Sequence, residues 1–172
     1  MRVLSTKKLQ PNQRDLLLGA GFSVVDYNAI DIEVLDFEIP AKIKNAIFTS
    51  QNGVKAFLSQ TSLHPSSREG EGPEVRIAKV FCVGQKTKAL LEKNGLNVVK
   101  TTDYGADLAD FITENYKNDS FHLFCGTKRR DEIPQALKNA EIDFFELKTY
   151  KTTLKPRKFD QKWDGILVLK IT

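Results

Sequence analysis

The chain has 172 residues, 41% hydrophobic and 28% charged, with 26 Lys and Arg against 22 Asp and Glu for a formal net charge of +4. That is the balance of a soluble globular protein, and no apolar run approaches the roughly 20 residues that a bilayer-spanning helix needs. The basic residues are scattered, Lys128, Arg129 and Arg130 being the densest run, so the charge suits a small polycarboxylate better than a nucleic acid, which is met by clustered basic patches with interleaved aromatics.

In chain order, Arg2–Ser5 reads as a short strand and Pro11–Leu18 as a helix, with proline in its first turn and Gly19 and Gly21 behind it. Val24 and Val25 begin a second strand, and Asp26–Phe37 is expected to run on as an extended linker ribbon that Pro40 ends. Ala46–Phe48 is a buried-type strand, Thr49–Gly53 a turn, and Val54, Phe57 and Leu58 one face of a helix. Residues 63–75 mix Pro, Gly, Ser and charge without periodicity and are expected to form a mobile surface loop. Val80–Val83 repeats the pattern: a strand, then Gly84 opening a turn, then Ala89, Leu90 and Leu91 at helical spacing. Asn94-Gly95 closes that helix ahead of a strand over Leu96–Lys100. Ala106–Tyr116 reads as a helix and Ser120–Cys125 as a strand entering Gly126-Thr127-Lys128. A further helix begins near Pro134, and Ile142–Leu147 is another strand. Tyr150–Leu154 reads as a separate return strand that pairs with part of Asp26–Phe37, and Gly165–Ile171 as a fresh buried-type strand.

Strands alternating with helices through short connections predict an α/β fold with a parallel sheet covered on both faces. The expected organisation is a flavodoxin-like parallel-sheet domain, residues 35–150, inserted into a second, incomplete α/β domain made of residues 1–34 and 151–172. A two-stranded ribbon joins them. In such sheets ligands sit at the carboxyl ends of the strands, which selects Thr49–Gly53, Gly84–Thr87, Thr101–Ala106 and Gly126–Arg129. These turns are rich in Ser, Thr, Gly and Lys, and two of them open helices whose N-termini favour anions.

Several chemistries lack their residues. His64 and His122 stand without partners at ligand spacing, so no metal is expected. No GxSxG elbow, P-loop or GxGxxG is present. Cys82 and Cys125 lack CxxC spacing and read as buried thiols of a reducing compartment; the N-terminal MRVLSTKKLQPNQR lacks the apolar core of a secretory signal. A cytoplasmic protein that binds neither nucleic acid nor membrane is expected. Thr49 and Ser50 suit helix capping ahead of ligand contact, whereas Thr87 suits either. Lys128 and Arg129 suit solvated charges first and anion contacts second. Tyr150 offers a neutral phenol donor, which a leaving hydroxyl needs. One function class open at this stage is a non-catalytic flavodoxin-like module that binds an anionic ligand or a partner protein at the strand edge.

The other comes from a resemblance. FTSQNGVKAF (48–57) and CVGQKTKALLEKNG (82–95) resemble the two most recognisable segments of the uroporphyrinogen-III synthase family. YGADLA (104–109), GTKRRDEIPQAL (126–137), YKT (150–152) and WDGIL (163–167) follow in the family's order and spacing, so the similarity covers nearly the whole chain. It implies two similar α/β domains joined by a two-stranded ribbon, the second inserted near the start of the first. It also implies a cofactor-free cyclisation of hydroxymethylbilane to uroporphyrinogen III. Loss of the hydroxyl gives an azafulvene, attack through the substituted carbon of ring D gives a spiro intermediate, and reclosure inverts that ring. The family binds its substrate in the cleft between domains. On this chain the resemblance assigns substrate contacts to Thr49, Ser50, Gln51, Asn52, Gly84, Thr87, Gly126, Lys128 and Arg129, and assistance of hydroxyl departure to Tyr150. Family members continue past the strand matched by Gly165–Ile171 through an FxSxxxV-type turn. This sequence stops at VLKIT, so a C-terminally truncated member, short of one cleft wall, is expected.

Overall fold

The computed structural model describes residues 1–61 and 75–168. Its elements run β1 (Arg2–Ser5), α1 (Pro11–Gly19), β2 (Ser23–Asp26), β3 (Ile30–Val34), β4 (Lys42–Phe48), α2 (Gln51–Ser59), β5 (Arg76–Val83), α3 (Gln85–Lys93), β6 (Val98–Thr102), α4 (Gly105–Asn115), β7 (Phe121–Gly126), α5 (Glu132–Asn139), β8 (Phe144–Leu154) and β9 (Gly165–Leu167). The chain divides into two compact units, Met1–Ile32 with Thr152–Thr172, and Glu33–Lys151. The first holds a sheet ordered β2-β1-β9, with both neighbours parallel to β1.

The second is built on a six-stranded sheet ordered β3-β8-β7-β4-β5-β6. Strands β8, β7, β4, β5 and β6 are parallel, each to the next. Period-two alternation deals its apolar residues to two faces. Ala46 and Phe48 of β4, Val80 and Cys82 of β5, and Phe124 of β7 pack with Val54, Phe57 and Leu58 of α2 and Leu91 of α3. Ile47, Phe81, Phe121, Leu123 and Cys125 face the other way, against Leu108 and Ile112 of α4 and Ile133 and Leu137 of α5. With both faces covered, the strands read as near-continuous apolar runs, as a parallel sheet requires.

Three aromatic rings fix α2 on the sheet. Phe48 and Phe124 stack with centroids 4.6 Å apart, and Phe57 meets both edge-on at 5.6 and 5.2 Å. All three are fully buried; each contributes about 2–3 kcal/mol of apolar burial, and each ring pair adds about 1 kcal/mol. Gly53 permits the close approach, since a Cβ there would lie 3.2 Å from the Phe124 carbonyl oxygen.

Several sequence expectations need correction. The turn after β4 is shorter than Thr49–Gly53: extended Ser50 is the N-cap, and Gln51 and Asn52 already lie in the first helical turn. Strand β4 starts at Lys42, four residues before Ala46, because Ile43 and Asn45 are buried in the sheet despite the lysines between them. Ile142–Leu147 and Tyr150–Leu154 are not two strands but parts of one, β8. Of the loop expected over 63–75, residues 63–74 lie outside the described residues, His64 among them; Val75 is core, 7% exposed. The last three residues of the strand expected over Gly165–Ile171 lie outside them as well.

Candidate functional site

The carboxyl end of the six-stranded sheet brings several of the expected residues together. Ser50 is extended, and its hydroxyl accepts from the Gly53 N–H at 3.2 Å, capping α2. The same oxygen lies 3.0 Å from the Tyr150 phenol oxygen, 100 residues later in the chain. Since Ser50 Oγ already accepts from an amide, its own proton is available to the phenol. In that orientation the phenol proton points outward, free for a third group.

Gly126 lies beneath the phenol ring. A Cβ at this position would stand 2.8 Å from two ring atoms of Tyr150 and 3.2 Å from its hydroxyl oxygen. The residue expected to touch a ligand therefore supports a side chain instead. The next amide, Thr127 N–H, donates to the Tyr150 carbonyl at 2.9 Å, so the end of β7 holds the tyrosine by backbone as well as by space.

Strand β5 ends differently. Gly84 takes φ 87° and ψ 137° as N-cap of α3 and contributes no side-chain cap. Its N–H donates to the Thr102 carbonyl at 2.7 Å, tying the turn to β6. Thr87, at N3, is 4% exposed and donates its N–H to the Gly84 carbonyl at 3.0 Å. Its hydroxyl lies 3.9 Å from where a Gly84 Cβ would stand, and it has no hydrogen-bond partner among the described residues. The capping role that the sequence left open is therefore not the one Thr87 takes.

The basic residues after β7 separate. Lys128 is exposed. Arg129 is engaged: its guanidinium donates through Nε and Nη2 to Glu146 on β8, the Nε bond at 3.0 Å, and through Nη1 to Asp131. The Glu146 hydrogen bond, ahead of the bond to Asp131, holds Arg129 above its ordinary pKa. Expected as a solvated charge or anion contact, Arg129 instead braces the loop after β7 against β8. Sequence reading missed its partner because Glu146 lies 17 residues away on an alternating strand whose register is invisible locally. Thr49 is half-buried where β4 ends; Gln51 and Asn52 occupy N1 and N2 of α2, whose amides have no intrahelical acceptor.

Other chemistries find no footing. Burial, and secondarily the charge of Glu146, pushes the Cys125 thiol up to about 11, and burial likewise raises Cys82, so neither is a thiolate near neutrality. Burial lowers the pKa of His122, which stacks on Phe145 at 5.3 Å. Among the described residues no group of three or more His, Cys, Asp and Glu converges to hold a metal, and no helix is long and apolar enough to cross a membrane. A cavity of about 620 Å³ is lined by Asp36, Phe37, Glu38, Ile39 and Gln60; it contains none of the candidate residues, and its carboxylates would repel an anionic ligand.

Comparison with known proteins agrees with this architecture. The solved uroporphyrinogen-III synthetase of Helicobacter pylori 26695 is similar at 15% identity over 92% of this chain and 65% of that one, with a TM-score of 0.61. A mutant uroporphyrinogen III synthase of the extremely thermophilic bacterium Thermus thermophilus gives 15% identity, 90% and 64% coverage and a TM-score of 0.59; the wild-type enzyme gives 16%, 90%, 63% and 0.51. At such identities the likeness establishes the fold, and the chain spans just under two thirds of those proteins. No curated protein sequence gives a significant match. The family model described as uroporphyrinogen-III synthase HemD matches residues 13–167, a stretch that takes in all of β2 to β9 and both Ser50 and Tyr150, and the chain belongs to that family.

Proposed function

We propose that the chain carries out the uroporphyrinogen-III synthase reaction: closure of hydroxymethylbilane to uroporphyrinogen III with inversion of ring D and loss of one water, without a cofactor and in the cytoplasm. The observation that carries this reading is the Ser50–Tyr150 pair, 3.0 Å apart at the carboxyl ends of parallel strands. Tyr150 donates its phenol proton to the departing hydroxyl as the carbon–oxygen bond breaks, and Ser50 donates to the phenol oxygen, stabilising the negative charge that develops there. The azafulvene is then attacked by the substituted carbon of ring D to give the spiro intermediate, which fragments and recloses through the free carbon of the same ring. That carbon finally loses its proton.

The residues around the pair suit a substrate with many carboxylates. The first-turn amides of α2, at Gln51 and Asn52, offer donors at the positive end of a helix. Thr49 and the unpartnered Thr87 hydroxyl add neutral donors, with Gly84 leaving Thr87 uncovered, and Lys128 adds a positive charge. Positioning a flexible tetrapyrrole is the larger part of the task, because ring D must turn over while the rest stays fixed.

The test is the product isomer. Hydroxymethylbilane is supplied to the protein and the oxidised porphyrins are separated; uncatalysed closure gives isomer I. Isomer III as the main product is the expected result. Isomer I alone, at the uncatalysed rate, would sink the proposal and favour a binding module at the same edge.

A further inference from the structure

Regular pairing of β7 with β8 would not put a tyrosine beside Ser50. The ladder matches Phe124 with Leu147 and Cys125 with Lys148, then skips a residue and matches Gly126 with Tyr150. The unmatched residue is Thr149. Residues paired across a ladder share a face, so an unbroken ladder would set Thr149 over Gly126 and turn Tyr150 to the opposite face of the sheet. Phe48 and Phe124 are partners on the α2 face, and two residues beyond each stand Ser50 and Gly126. The bulge thus moves the phenol into the row formed by Ser50 and Gly126.

The bulged residue is held on two sides. Thr149 is 0% exposed. Its hydroxyl donates to the Cys125 carbonyl at 3.3 Å, the last β7 residue paired before the skip. Its own carbonyl accepts from the Leu35 N–H at 3.0 Å. Immediately beyond, the Tyr150 carbonyl accepts from Thr127 N–H. Bulges re-aim side chains next to active sites and persist where the surroundings over-determine them.

We infer that Thr149 is a positioning residue whose buried hydroxyl pins the β7–β8 bulge and thereby sets the Tyr150 phenol against Ser50. Its consequence for turnover rests on the role proposed for Tyr150; its consequence for where the phenol lies does not. The experiment therefore reads the phenol directly. Fluorotyrosine is incorporated at the four tyrosines, and the Tyr150 fluorine resonance is assigned by its loss in Tyr150→Phe. Ser50→Ala, which removes the hydrogen-bond partner, defines the shift of an unpaired phenol. Thr149→Val, of equal shape but without the hydroxyl, is expected to move the resonance in the same direction as Ser50→Ala and to lower kcat about tenfold with KM within about twofold. Thr149→Ser is expected to restore both. A Tyr150 resonance in Thr149→Val that stays at the wild-type position overturns the inference, whatever the turnover. Should the valine variant not fold, Thr149→Ala gives the same comparison. If Tyr150→Phe itself turns over at the wild-type rate, the reading of Tyr150 as acid fails, while the resonance still decides the role of Thr149.

Discussion

The turns after β4 and β5 are built to one plan and finished in opposite ways. Each follows a strand with fully buried residues and opens a nine-residue helix packed on the same face of the sheet. At the first, the Ser50 hydroxyl is engaged twice, by the Gly53 amide and by Tyr150. At the second, the N-cap is a glycine without a side-chain cap, and the Thr87 hydroxyl is left without a partner. The first turn is wired into the sheet by a contact spanning 100 residues; the second keeps its donor unspent. One sequence pattern thus yields a fixed catalytic pair in one place and an open binding position in the other, and what separates them is a single strand, β8, that reaches only the first.

The sharpest way to separate the two turns is by kinetics. Tyr150→Phe removes the proposed proton donor, and the expected result is a fall in kcat of about 100-fold with the fold intact by circular dichroism. Thr87→Val keeps shape and removes only the free hydroxyl, so its expected effect is a several-fold rise in KM with kcat nearly unchanged. A kcat defect in Thr87→Val equal to that of Tyr150→Phe would erase the division between chemistry and binding.

The two glycines at these turns are expected to fail for different reasons when given a methyl group. Gly84 has free space around it but stands at φ 87°, ψ 137°, a region that L-residues occupy only under strain. Gly84→Ala should therefore cost about 1–3 kcal/mol of stability, visible in denaturant titration. Gly126 has no such backbone demand; its missing Cβ is the space that the Tyr150 ring fills, 2.8 Å away. The ring can swing aside, so Gly126→Ala should cost less stability, about 1 kcal/mol, and lower kcat by displacing the phenol. Equal stability losses with normal turnover in Gly126→Ala would mean that the ring does not work from this seat.

Much of this was legible in the sequence, and the illegible part has a physical pattern. The strand–turn–helix units around Ser50 and Gly84 follow from local periodicity, which needs no knowledge of partners. The family segments likewise placed Tyr150 in the site before any geometry was known. What local pattern does not carry is register. Leu147, Thr149 and Tyr150 look like the end of one strand and the start of another because the alternation slips at Thr149, yet the slip is a bulge inside β8. Arg129 reads as a free charge for the same reason, since its partner Glu146 is set by how β8 lies against β7. Gly126 resembles a turn glycine of a phosphate loop, whereas its use is to seat a ring from the neighbouring strand.

The smallest expected difference tests whether Ser50 and Thr87 are as unlike as their partners make them. Ser50→Ala removes the cap that accepts from Gly53 N–H, for which helices lose about 1 kcal/mol. It also removes the hydrogen bond to Tyr150. Thr87→Val removes a hydroxyl that bonds to nothing among the described residues, so its stability should match wild type within about 0.5 kcal/mol. Urea midpoints at constant m-value read both changes on one scale. A loss in Thr87→Val as large as in Ser50→Ala would mean that the Thr87 hydroxyl is committed within the fold. The second turn would then be as closed to substrate as the first, and binding would fall to the α2 amides and Lys128.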